Sequence, residues 1–146
     1  MFAPCERVII AQGDNSVSLI SILQNVTVTR TPGAPSEIPA NLVLPMQWAI
    51  FTMWQKEPDD EGTNYTQRVV LMSPSDRSVL ESVTAFTLDK EWHRVVSGIV
   101  GLPAGEAGIH TLKLSLRREA GNWNEIAYFP LTIKHPSTVL ASTRTH

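Results

Sequence analysis

The stretch MQWAIFTMWQKEPDDEG, Met46–Gly62, decides the fold. An apolar run carrying Trp48 and Trp54 stops at an acidic segment that contains a proline and a glycine. At the strand period of two, Trp48, Ile50, Thr52 and Trp54 share one face, and Ala49, Phe51 and Met53 share the other. Both faces are apolar. The stretch therefore predicts a strand over Met46–Lys56 that needs cover on two sides, followed by a loop, EPDDEGTN.

Outward from this strand, short runs rich in Val, Ile, Thr and aromatics recur between clusters of Gly, Pro, Asn and Asp. No long segment combines helical periodicity with caps. That pattern belongs to an all-β sandwich or barrel. Strands are predicted at Cys5–Ala11, Val17–Thr29 (bent or bulged near Gln24 and Asn25), Met46–Lys56, Tyr65–Met72, Val79–Leu88, Trp92–Val100, Ile109–Arg118 and Trp123–Ile133. GDNS (13–16) reads as a hairpin turn, because Gly and Asn tolerate positive φ, and further turns fall at SPSD (73–76) and EAGN (119–122). GLPAGEAG (101–108) reads as a hairpin or sheet-crossing loop. Thr29–Pro45 holds four prolines, Pro32, Pro35, Pro39 and Pro45, and reads as a surface crossover, not a central strand.

Ile109–Arg118 alternates cleanly, with Leu112, Leu114 and Leu116 opposed by Thr111, Lys113, Ser115 and Arg117. This is a half-wet antiparallel strand. Pro130 marks an edge, a bulge or a sheet switch. The fold class is all-β: a single antiparallel β-sandwich of about eight strands, immunoglobulin-like, over residues 1–135, with a flexible C-terminal tail at 136–146.

Several other strands share the two-faced character of Met46–Lys56. Val69 and Leu71 oppose Val70 and Met72, and Val95 and Ile99 oppose Val96 and Val100. A two-layer sandwich buries one face of each strand. The proline-rich crossover, a second subunit or another protein must cover the rest. An exposed apolar patch of this kind marks an interaction site. Trp48, Ile50 and Trp54 are the interface candidates, and a homodimer is the simplest partner.

The chain of 146 residues is one domain by size. Its net charge of −2, with Lys and Arg scattered, supplies no basic stripe, so nucleic acid is not an expected partner. The longest near-apolar run, Leu42–Trp54, contains Pro45 and Gln47 and falls short of the roughly 20 residues that cross a bilayer, so no membrane partner is expected. The N-terminus MFAPCERVII lacks a basic, long-apolar signal pattern. The single cysteine, Cys5, fits a reducing compartment. Together these predict a soluble cytoplasmic protein.

Asp59, Asp60 and Glu61 supply hard oxygen ligands of the kind calcium takes, but not the twelve-residue EF-hand spacing. They are weak metal candidates beside the plainer reading of a solvated loop. His93, His110, His135 and His146 show no metal-ligand spacing. No G-x-S-x-G elbow or P-loop lysine is present, so no catalytic residue is assigned and no cofactor is expected. Trp48 and Trp54, about 20 Å apart along a strand, would form a sugar-stacking platform if exposed. A small-ligand or carbohydrate-binding module is thus the second reading, and a metal-dependent enzyme the third. The first is a non-catalytic, oligomeric interaction module.

The segments CERVIIAQGDNSVSLISIL, MQWAIFTMWQKEPDDEG and GIHTLKLSLRREAGNWNEIAYFPLTI resemble a group of small bacterial proteins classed as a domain of unknown function. The likeness runs from about Cys5 to His135. It implies a bacterial or phage-associated cytoplasmic sandwich and brings no site residues. The closing hairpin also resembles the last two strands of immunoglobulin-like domains.

Overall fold

A computed structural model describes residues 1–29 and 37–136. The chain order is β1 (Phe2–Ile10), β2 (Val17–Ile22), β3 (Asn25–Thr27), β4 (Val43–Gln55), a 3₁₀ turn (Pro58–Asp60), β5 (Thr63–Met72), β6 (Ser78–Leu88), β7 (Trp92–Pro103), β8 (Gly108–Arg118) and β9 (Asn124–Lys134). There is no α-helix among the described residues. Two sheets form, one ordered β2-β1-β4-β7 and the other β3-β9-β8-β5-β6.

The all-β sandwich is as predicted, but the five-stranded sheet is mixed, because β3 pairs parallel with β9. The predicted long second strand divides where Gln24 and Asn25 had suggested a bend. Ser21 takes a positive φ of 54°, and the chain leaves the first sheet after Ile22. Leu23 N donates to the Pro4 carbonyl, and Thr132 N then donates to the Gln24 carbonyl. The strand thereby changes sheets within two residues. The Leu23 amide and the Gln24 carbonyl thus both keep a backbone partner through that change.

The three predicted turns close the β1–β2, β5–β6 and β8–β9 hairpins, with positive φ at Asn15, Asp76 and Glu119. Pro45 lies inside β4, against the expectation that the proline-rich segment stays outside strands. It falls where the β4–β7 register shifts between Leu44 and Gln47. β1 reaches β4 only over Ala49–Thr52, so no ladder needs the amide that Pro45 lacks. Pro39 precedes a turn in which Leu42 N donates to its carbonyl. Ile38, Leu42 and Leu44 then pack on the core, so this end of the crossover plugs the sandwich. Pro32 and Pro35 lie outside the described residues, as does the predicted tail apart from Pro136.

The core sits between the sheets. Trp48, Ile50 and Leu102 from one sheet meet Val69, Leu71, Leu112, Leu114, Leu131 and Ile133 from the other. Each such side chain contributes about 1.5–3 kcal/mol by burial. Phe86, Leu88 and Val95 form a smaller cluster with Trp54, Tyr65 and Leu116. GLPAGEAG proves to be the sheet crossing from β7 to β8. A Cβ at Gly105 would stand 2.0 Å from the Ala40 carbonyl oxygen, so only glycine lets this loop close on the crossover.

Candidate interaction surface

The inward face of β4 carries all three interface candidates. Trp48 is 2% exposed and Ile50 fully buried, both in the main core. The Trp48 indole donates to the Gly101 carbonyl at 2.9 Å. Trp54 is half-buried, stacks on Phe86 with ring centres 5.9 Å apart, and donates to Gln67 Oε1 at 3.0 Å. The expectation that these three side chains form an outward surface is therefore corrected. They pack sheet against sheet, and neither indole offers a flat platform for a sugar. Alternation had correctly put the three on one face, but it could not say that this face looks inward.

The acidic loop is held by its own side chains. Glu57 and Asp60 form a reciprocal cap around the 3₁₀ turn, and Glu57 N donates to Asp60 Oδ2 at 3.0 Å. The Tyr65 hydroxyl donates to Asp60 Oδ1. This bond holds the Asp60 carboxyl below its ordinary pKa, and burial with Asp60 beside it pushes Tyr65 up to about 12. Glu61 pairs with Lys56. The Asp59 backbone carbonyl accepts from Arg118 at 3.3 Å. Asp60 and Glu61 are thus committed to protein partners, and no group of three candidate metal ligands converges among the described residues. Gly62, at φ +70°, ends the turn.

The histidines are absorbed by packing. His93 stacks on Phe86 at 4.8 Å, and His135 donates to the Ala104 carbonyl at 2.8 Å. His110 is buried, which lowers its pKa. His146 lies outside the described residues. Trp123 has the guanidinium carbons of Arg68 and Arg117 at 4.4 and 4.7 Å from its ring centre. Both arginines bury an Nε without a hydrogen-bond partner, and stacking on the indole face offsets that loss.

The outward face of β4 explains why this strand is apolar on both sides. Phe51 points away from the core, yet it is fully buried. Ala3, Cys5 and Ala49 are buried with it on the same face, through the pairs Ala3–Phe51 and Cys5–Ala49. The cover is the β1–β2 hairpin. β1 pairs with β4 only over Phe2–Cys5, and from Arg7 onward it pairs with β2 alone. Freed from the sheet, the hairpin arches over it. Val17, Leu19 and Ile22 share a cleft with Phe51 and Met53. At the tip, the Asn15 carbonyl accepts from Arg94 of β7, on the far side of β4. The N-terminal hairpin is therefore a partial third layer.

This layer touches β7 at its tip, through Arg94, and leaves much of the outward face of that strand open. The outward positions of β7 are Trp92, Arg94, Val96, Gly98 and Val100, paired with Gln55, Met53, Phe51, Ala49 and Gln47 of β4. Trp92 is 48% exposed, Val96 45% and Val100 82%. Ile9, Ile10, Ile20 and Ile22 of the hairpin are exposed as well. β7 is also an edge strand: among the described residues, nothing pairs with its other side. A long apolar edge of this kind is a template for another strand. Periodicity had marked Val96 and Val100 as a second apolar face, but Trp92 read only as a strand start. Its i, i+4, i+8 spacing with Val96 and Val100 was the available signal.

No family model matches the chain, and no curated protein matches it. No helix among the described residues is long and apolar enough to cross a membrane.

Proposed function

We propose that the protein is a non-catalytic interaction module that self-associates in a reducing cytoplasm. The observation that carries this is the exposed apolar line Trp92–Val96–Val100 on an unpaired strand edge, continued by the isoleucines of the hairpin. Exposed apolar surface rimmed by polar residues favours association with a protein. The net charge of −2 offers little repulsion between copies. The lone thiol, Cys5, is buried in the fold and uncommitted to any disulfide, which suits a reducing setting.

The immunoglobulin-like character belongs to the same proposal. Support comes from strand order. The chain crosses between sheets from β4 to β5, from β6 to β7 and from β7 to β8, and β8 and β9 form a hairpin inside the second sheet. Those crossings have the Greek-key form of immunoglobulin sandwiches. The arched β1–β2 hairpin is this chain's departure from that plan. Light scattering coupled to size exclusion at tens of micromolar tests the function. A mass above one chain is expected, and a clean monomer that binds no hydrophobic dye overturns it.

A further inference from the structure

We propose that the self-association takes one form: β7 pairs antiparallel with β7 of a second copy about a two-fold axis at Val96. The proposal rests on the self-association argued above and adds its geometry. A two-fold axis makes an interface self-complementary, so residue i must suit its mate on the same strand. With Val96 on the axis, Val96 faces Val96, Trp92 faces Val100, and Arg94 faces Gly98. The exposed apolar side chains all meet apolar mates. The single charge on this face meets a glycine instead of its like. Arg94 is in addition already turned toward the hairpin, where it donates to the Asn15 carbonyl. Like charges directly opposed would destabilise a ladder, and apolar pairs stabilise it.

The other edge strands among the described residues suit this role less well: β3 has three residues and β2 six, against twelve in β7. β6 closes the far side of the five-stranded sheet, and its outward face alternates Glu81, Val83, Ala85 and Thr87. It offers one large apolar side chain where β7 offers three. Pairing at β7 also satisfies a row of main-chain donors and acceptors that a flat apolar patch would leave in water. The product is one continuous eight-stranded sheet, β2-β1-β4-β7 from each copy, whose outer β1–β2 hairpins arch back over one face.

The test uses the full chain and substitutions at exposed positions. Sedimentation equilibrium should show a dimer for the parent protein. Val96→Lys sets two ammonium groups against each other on the axis and should weaken the dimer by about tenfold or more. Val83→Lys, at 53% exposure on β6, should leave it unchanged. Circular dichroism melts confirm that both variants fold. The register has its own readout: mild oxidation of Val96→Cys should yield a disulfide-linked dimer, while Val83→Cys should not, with Cys5 shielded in both. A parent that stays monomeric overturns this proposal together with the function. A dimer that ignores Val96→Lys, or in which Val96→Cys fails to cross-link, overturns the β7 geometry alone and moves the contact to the hairpin face.

Discussion

The Thr52 hydroxyl donates to Gln67 Oε1 at 2.7 Å inside the core, tying β4 of one sheet to β5 of the other. The same oxygen accepts from the Trp54 indole at 3.0 Å. Two donors on one atom orient the Gln67 amide. Gln67→Leu removes the acceptor and leaves the buried Thr52 hydroxyl alone, at an expected cost of about 1–3 kcal/mol. Adding Thr52→Val should recover part of that loss, because two apolar groups leave less unpaired. Urea denaturation of the two single variants and the double variant measures the coupling.

Trp48 and Gly101 form the second buried tie. Gly101 sits at φ +91°, and a Cβ there would lie 2.7 Å from Val43 Cγ1. Gly101→Ala is therefore both strained and crowded, with an expected loss of about 1–3 kcal/mol. Val43→Ala in the same chain should relieve the crowding and leave the strain. Trp48→Phe keeps most of the apolar volume and strands the Gly101 carbonyl, for a loss of about 1–3 kcal/mol. Thermal or urea unfolding separates these contributions.

The Tyr65–Asp60 bond makes stability depend on pH at both extremes. Asp60 titrates below its ordinary value when folded, so its contribution is present above pH 4 and is lost as the pH falls through the lowered value. Tyr65 titrates higher when folded, so its contribution is complete below pH 10 and fades as the pH rises toward about 12. Tyr65→Phe should flatten both limbs of a melting-temperature profile. Asp60→Asn should flatten the acid limb and reduce the alkaline one. Ultraviolet titration of the parent should show a tyrosine ionising near pH 12 that is missing from Tyr65→Phe.

Cys5 reports on the hairpin. It lies buried where β1 sits between β2 and β4, and burial pushes its thiol pKa up. A thiol reagent at pH 8 should therefore react slowly, at a rate set by opening of the hairpin. Arg94→Ala removes the anchor of the Asn15 tip and should speed the reaction severalfold, with little change in the global melt. An unchanged rate would mean that the hairpin is held by its apolar side chains alone.

Much of the local structure was legible in the residues. Asn15 and Asp76 take positive φ in turns that composition marks, because Asn and Asp tolerate it; in EAGN the turn is marked correctly but the positive φ falls on Glu119, not on Gly121 or Asn122. The alternation of Leu112, Leu114 and Leu116 against Thr111, Lys113, Ser115 and Arg117 names the core face of β8, except that Ser115 is buried where the register with β9 shifts. The break near Gln24 was visible as a bend, but not as a change of sheet. That change depends on Thr132, more than a hundred residues away, whose amide donates to the Gln24 carbonyl. The site was less legible. Where both faces of a strand are apolar, period two sorts side chains into two sets and cannot say which set meets the core.

An all-β chain, its turns, and the demand of the Met46–Lys56 strand for cover on two sides are all readable from the residues. These follow from φ preferences and side-chain alternation, which are local. What provides that cover is set by the packing of the folded chain. The Trp48–Trp54 face meets the second sheet, and the Phe51 face meets the chain's own N-terminal hairpin. The same packing leaves β7, not β4, with an open edge. Strand order depends on pairings between residues far apart in the chain, and a strand's own composition does not record which neighbour its amides will find.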